Sequence, residues 1–309
     1  MIAGRHRRAL AAALTAALAV AGCGGAAAPA AREVPARLRL GVLSPSGAET
    51  LVRLGAADAI AAVGDWVTWP PELAARPALG SFTAPSAERV LALQLDALVT
   101  VASAAGRREL AELAALGVEI VELDTATFAG TLESISRLGA LVGRQREAAA
   151  LVDEIRARLD AIAASAAGAA PRSVLVVVGR EPLFVAGPGS HFDELVRLVG
   201  GTNVAADLGA PYAELSLEAA LARRPEVLLD VSENLRDAPR GRQRGEWGKW
   251  PFLPAVARDR VHFVDPSRLS VPGPRLPEMA ELVARIVRPE RFGEPRAEDY
   301  APLAAERSR

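Results

Sequence analysis

Cysteine occurs once in this 309-residue chain, aromatic side chains make up 4% of it, and histidine occurs three times. A lone cysteine, Cys23, excludes an internal disulfide. Beyond the first 25 residues only His191 and His262 remain, too few for a zinc or manganese site built from clustered imidazoles and carboxylates. Neither charge sign is in excess, with 36 basic against 37 acidic side chains, so a basic stripe that grips a nucleic-acid backbone is not expected. The Gly-x-Ser-x-Gly elbow of a hydrolase is missing, because Ser44-Pro45-Ser46-Gly47 lacks its first glycine. Gly187-Pro188-Gly189 is only a fragment of a dinucleotide-binding loop. Neither an enzyme nor a resident cofactor is expected.

What is present is a globular composition, 50% apolar and 24% charged with a mean hydropathy of +0.18, long enough for two domains or two lobes. Arg5, Arg7 and Arg8 precede an apolar run over residues 9–21 that is too short to remain as a membrane span. It ends in Val20-Ala21-Gly22-Cys23, which resembles a bacterial lipobox and marks Cys23 for lipidation. Residues 1–22 thus read as a signal peptide, and residues 23–36, rich in Gly, Ala and Pro, as a flexible tether. Loss of three leader arginines leaves a mildly acidic, membrane-anchored, extracytoplasmic domain.

The remainder repeats itself. Residues 82–99 and 212–229 align at a constant offset, pairing Phe82 with Tyr212, Ser86 with Ser216 and Glu88 with Glu218. Leu51-Val52-Arg53-Leu54 is echoed by Leu195-Val196-Arg197-Leu198. Ser86 and Ser216 read as helix N-caps with glutamates in the first turn, where the helix dipole favours them. Short apolar runs at Leu38–Leu43, Ile60–Val63, Ala97–Thr100, Glu119–Leu123, Ser173–Val178, Val227–Asp230 and Val261–Val264 predict mainly parallel strands alternating with helices. Between the halves, Leu151, Ile155, Leu159, Ile162 and Ala166 form one stripe of a long helix, ended by Gly168 and Pro171. The reading is α/β: two Rossmann-like three-layer lobes, residues 37–143 and 169–289, joined by one rigid helix over 144–168, with a charged tail at 290–309.

Ser44-Pro45-Ser46, Trp69-Pro70-Pro71-Glu72, Leu79-Gly80-Ser81-Phe82, Ala186-Gly187-Pro188-Gly189-Ser190, Gly200-Gly201-Thr202-Asn203-Val204 and Pro272-Gly273-Pro274-Arg275 occur in an order that resembles the cobalamin, haem and ferric-siderophore substrate-binding proteins of ABC importers, cobalamin binders above all. The resemblance covers roughly residues 38–289. It implies two lobes on a helical backbone, the class III architecture, with ligand held in the cleft between them. It further implies that Glu88 and Glu218 meet arginines of a membrane permease, and that Trp66, Phe82, Phe184 and Tyr212 face the ligand from loops of both lobes. Planar ligands suit such aromatic walls.

After the last strand of the second lobe, Arg268, Ser270 and Arg275 stand where relatives place a charged group, and an arginine there can hold a carboxylate or phosphate bidentately. Val271 stands where the cobalamin binders have an arginine, so that contact is either missing or moved to Arg268, which weakens the cobalamin assignment. Tyr212 is the one candidate axial donor for haem iron. Trp247 and Trp250 read equally as a mobile loop or short helix over the cleft rim and as a packed surface excursion. The expected ligand is a corrinoid, with ferric siderophore or haem as the alternative; the expected partners are that ligand, the permease and the membrane, with a surface scavenger or sensor that has no permease as the alternative role, and the expected state is a monomer.

Overall fold

Two separate sheets organise the chain in a computed structural model that describes residues 38–102, 106–232 and 241–303. The leader, Cys23 and the tether lie outside the described residues. The first sheet is built from β1 (Leu40–Val42), α1 (Pro45–Arg53), β2 (Ile60–Val63), the small hairpin β3 (Gly80–Ser81) and β4 (Ala84–Pro85), α2 (Ala87–Ala92), β5 (Ala97–Val101), α3 (Arg107–Ala115), β6 (Glu119–Leu123) and α4 (Phe128–Leu141). Its strands run parallel in the order β2-β1-β5-β6. After α5 (Gln145–Ala166) come β7 (Arg172–Arg180), β8 (Leu183–Ala186), α6 (His191–Leu198), β9 (Gly201–Asn203), β10 (Tyr212–Glu214), α7 (Leu217–Ala222), β11 (Val227–Asp230), β12 (Gly241–Arg242), α8 (Pro254–Ala257), β13 (Val261–Phe263), α9 (Pro266–Leu269), α10 (Leu276–Val287), α11 (Pro289–Phe292) and α12 (Ala297–Tyr300).

The second sheet has the order β10-β8-β7-β11-β13-β12, with β9 also on β7. It is more mixed than its apolar runs predict. The centre is parallel, but β8, β10 and β12 are antiparallel. Strands of two to four residues are too short for alternation to stand out, which is why the sequence reading passes over them.

Each central strand divides its side chains between two cores. Val174 and Val176 of β7 face one apolar cluster while Leu175 and Val177 face another, and β11 separates Val227 and Leu229 from Leu228 in the same way. This period-two division is what burial on both faces of a parallel strand requires. The outer faces form two separate clusters, one centred on Leu43, Leu79, Leu98 and Leu113, the other on Leu175, Leu228, Trp247 and Phe263. The inner faces share one continuous core.

Helix α5 runs through that shared core. Its stripe Leu151, Ile155, Leu159, Ile162 and Ala166 is buried, and it packs on α4 from the first half and on α6 and α10 from the second. Twenty-two residues make a rod of about 33 Å. Each buried Leu or Ile contributes about 2 kcal/mol, and Ile155→Asp would place a charge at 1% exposure in the middle of it. The helix stops at Ala166, and Gly168 adopts the left-handed φ of +72° that an L side chain resists.

Two open points of the sequence reading resolve here. Trp247 is buried in the outer core of the second sheet with Trp250 packed beside it, so this segment is a packed excursion. Part of the expected tail, up to Leu303, is ordered against β13: Asp265 N–H donates to the Tyr300 carbonyl, and the Tyr300 hydroxyl meets His262 Nδ1 at 2.8 Å.

Candidate ligand cleft

The carboxyl ends of the central strands carry the candidate residues. On the first half, the segment after β2 is tied down by Gly64 N–H donating to the Val42 carbonyl and Asp65 N–H donating to the Gly80 carbonyl. These bonds hold Trp66 at the rim with 47% of its surface exposed. Phe82, in the turn of the β3–β4 hairpin, is half-buried against the outer core of the first sheet.

On the second half, Phe184 and Tyr212 lie on neighbouring antiparallel strands rather than on loops. Glu214 pairs with Phe184 and Tyr212 with Ala186, so by strand alternation Phe184 and Tyr212 are diagonal neighbours on one face of the ribbon. They are 37% and 42% exposed. Gly187 permits the ribbon to close: a Cβ there would stand 2.3 Å from the Ala210 carbonyl oxygen. Large exposed apolar side chains are few among the described residues, and three of the four candidate aromatics are among them.

Tyr212 is also wired inward. Its hydroxyl lies 3.3 Å from His191 Nδ1, and His191 Nε2 lies 2.8 Å from the Leu269 carbonyl oxygen. A carbonyl only accepts, so Nε2 carries the proton. Burial pushes the imidazole pKa down to about 4 against a weaker opposing pull from that carbonyl, so the ring is neutral at pH 7. Its Nδ1 is then an acceptor, and the tyrosine hydroxyl donates to it. Burial raises the Tyr212 pKa to about 12, although the residue is not fully enclosed. Ser190 places His191 by capping α6, accepting from Asp193 N–H at 3.2 Å. Asp193 in turn accepts from Asn203 Nδ2 at 3.1 Å.

The arginines near the cleft are engaged. Arg268 Nε donates to the Ala301 carbonyl at 2.7 Å, which commits that edge of the guanidinium to the C-terminal segment. Arg275 does hold a carboxylate bidentately, but the carboxylate is Glu49 of α1 in the other half of the molecule, at 2.7 and 2.8 Å. A network absent from the sequence reading lies at the carboxyl ends of β7 and β11. There Arg180 Nε and Nη2 donate to Asp230 Oδ2 at 2.9 and 2.7 Å, Trp247 Nε1 reaches the same oxygen at 3.3 Å, and the Arg180 guanidinium stands over the Phe263 ring. Its visible signal is the acid closing the apolar run Val227–Leu229.

The echoed caps form as expected. Ser86 Oγ accepts from Arg89 N–H at 3.4 Å and Ser216 Oγ from Ala219 N–H at 3.1 Å. Glu88 and Glu218 occupy the first turns of α2 and α7 with their side chains exposed.

Two halves that share a core, each presenting aromatic side chains at the carboxyl ends of its strands, define an α/β solute-binding architecture. Residues 41–261 match the model of the periplasmic binding protein family, and the chain belongs to that family. Among its relatives is the vitamin B12-binding protein of Vibrio cholerae, 24% identical over 247 residues that cover 80% of this chain and 87% of the relative. Among solved structures, the fold is similar to the periplasmic vitamin B12 binding protein of Vibrio cholerae (TM-score 0.71, 24% identity, 81% of this chain and 96% of the other). It is equally similar to the periplasmic haem-binding protein of that organism (TM-score 0.72, 20% identity, 82% and 99%).

Proposed function

We propose that this protein is the extracytoplasmic substrate-binding lipoprotein of an ABC importer and that it captures a corrinoid in the cleft between its lobes. Trp66 and Phe82 contribute one wall, Phe184 and Tyr212 the other, and Arg268 a polar contact through the donors not spent on Ala301. The lobes are residues 37–143 and 169–289, joined by the helix within 144–168. Cys23 carries the lipid, and Glu88 and Glu218 dock the monomeric protein on the permease. The observation that carries the reading is the exposure of large rings on both halves at the carboxyl ends of the strands, where open α/β sheets receive ligands. Flat rings bind flat ligands with little loss of side-chain entropy.

A tryptophan-fluorescence titration of the purified protein with cyanocobalamin, corrected for ligand absorption, tests it. Saturable one-to-one quenching, lost in the Trp66→Ala/Tyr212→Ala double variant, is the expected result. Absence of saturation rejects the corrinoid and leaves the binding-protein reading to be tested with haem and ferric siderophores.

One observation favours haem as the second reading. The Tyr212 hydroxyl donates its hydrogen bond to His191 Nδ1, so the phenol oxygen keeps its lone pairs, a hard donor for ferric iron.

A further inference from the structure

Five arginines converge at the end of the second sheet opposite the aromatic rim. Arg172 opens β7, Arg258 and Arg260 precede β13, and Arg288 and Arg291 follow α10. With Glu226 and Glu290 they line a depression of about 510 Å³ beneath Gly168–Pro171. Five positive charges against two negative ones leave a local excess of three in a chain whose total charge is −1. The length of β7, about 26 Å, separates this depression from the Phe184–Tyr212 ribbon.

Helix ends account for three of these arginines. The carboxyl ends of α5, α6 and α10 meet here. Arg291 donates to the Ser165 and Ala167 carbonyls at the end of α5, Arg288 to the Val199 and Gly200 carbonyls at the end of α6, and Arg172 to the Val287 carbonyl at the end of α10. Cations at helix C-termini satisfy free carbonyls and oppose the dipole. Arg258 is matched by Glu226 at 3.0 Å, while Glu290 is shared between Arg172 and Arg288.

Arg260 is left over. Its side chain has no hydrogen-bond or ion-pair partner among the described residues, although it is only partly exposed and lines the depression. Neighbouring arginines repel it: burial first, then Arg172 and Arg258, hold its pKa below the usual guanidinium range. Glu290 and Glu226 pull weakly the other way, but each is already bonded to another arginine, so the guanidinium of Arg260 has no anion in direct contact among the described residues.

We propose that this depression binds a phosphate-type oxyanion, free or as a headgroup, with Arg260 as the principal contact and Arg258 and Arg172 offering their remaining N–H groups. A planar five-donor fork matches such an anion bidentately. The site is independent of the cleft and of the ligand assigned to it.

Calorimetry with sodium pyrophosphate at low ionic strength tests the proposal in the wild-type protein, Arg260→Gln and, as control, Arg156→Gln on the exposed face of α5. Since the Arg260 side chain makes no bond to the fold, the variant retains the wild-type circular dichroism spectrum. The expected result is saturable one-to-one binding that Arg260→Gln weakens about tenfold or more, the loss typical of one charge-assisted contact, while Arg156→Gln and cyanocobalamin binding are unaffected. A parallel arm measures retention on phosphatidylglycerol against phosphatidylcholine vesicles. Retention on the former that Arg260→Gln reduces, without pyrophosphate binding, assigns the anion to a lipid headgroup. No Arg260-dependent binding in either arm, up to about 10 mM pyrophosphate, overturns the proposal.

Discussion

Glu49 and Arg275, 226 residues apart, form a bidentate ion pair that joins α1 of the first half to the start of α10 in the second. Glu49 is 4% exposed, and burial raises its carboxyl pKa above the ordinary value despite the lowering pull of Arg275. Desolvation thus cancels most of what the attraction contributes, as is usual for buried pairs. The pair acts mainly to set how the halves meet. A hydrogen bond also joins the halves, where Phe128 N–H at the start of α4 donates to Glu194 of α6. Both contacts join helices of the two halves.

Breaking the pair from one side is expected to be costly. Glu49→Ala strands the mostly buried Arg275 guanidinium and should lower stability by about 3 kcal/mol, read from urea denaturation midpoints. Glu49→Met combined with Arg275→Met should recover most of that loss. Equal destabilisation in the single and double variants would show that the charges themselves sustain the fold.

Acid should weaken the fold through His191. Its folded pKa of about 4 lies below the ordinary 6.5, so above pH 6.5 the ring is neutral in both states. As pH falls from 6.5 towards 4, the unfolded chain takes up a proton that the folded chain refuses, and stability drops by up to about 3 kcal/mol. Denaturation curves at about pH 7 and pH 4.5 should converge partly in His191→Gln. An unchanged pH dependence in that variant would remove His191 as the cause.

Tyr212→Phe separates the two ligand readings. The ring remains, so cyanocobalamin affinity should stay within about twofold, since stacking needs no hydroxyl. Ferric haem, by contrast, should lose the charge-transfer band expected of a tyrosine donor. Loss of corrinoid affinity in this variant would mean that the hydroxyl, not the ring face, is the contact.

Replacing Glu88 and Glu218 together by arginine should leave ligand binding intact and abolish permease-dependent uptake, because exposed charges set encounter and register between partners. Both side chains stand in first turns already capped by serine, so the substitution should lower stability by no more than about 1 kcal/mol. Unchanged uptake would reject the docking role.

Most of the scaffold is legible in local pattern. Ile60–Val63, Glu119–Leu123 and Val227–Asp230 form strands over the very residues that their apolar runs mark, and the α5 stripe is buried as its spacing requires. Less of the site is legible. Tyr212 stands in a strand of three residues, too short to carry a readable period, and its partner His191 lies 21 residues away across a turn. Arg268 and Arg275 look alike in sequence, yet one meets a backbone carbonyl and the other a carboxylate from the opposite half.

By itself the sequence determined the elements, because helix caps, apolar spacing and chain breaks act over a few residues and leave their mark there. It also determined the duplication of Ser86-Ala-Glu88 in Ser216-Leu-Glu218, and with it two equivalent helix starts. Only the tertiary structure decided which charges are spent and which are free. Glu49 neutralises Arg275, Asp230 neutralises Arg180, and Arg260 is left without a partner among the described residues, because ion pairing depends on distances between segments that no local pattern records.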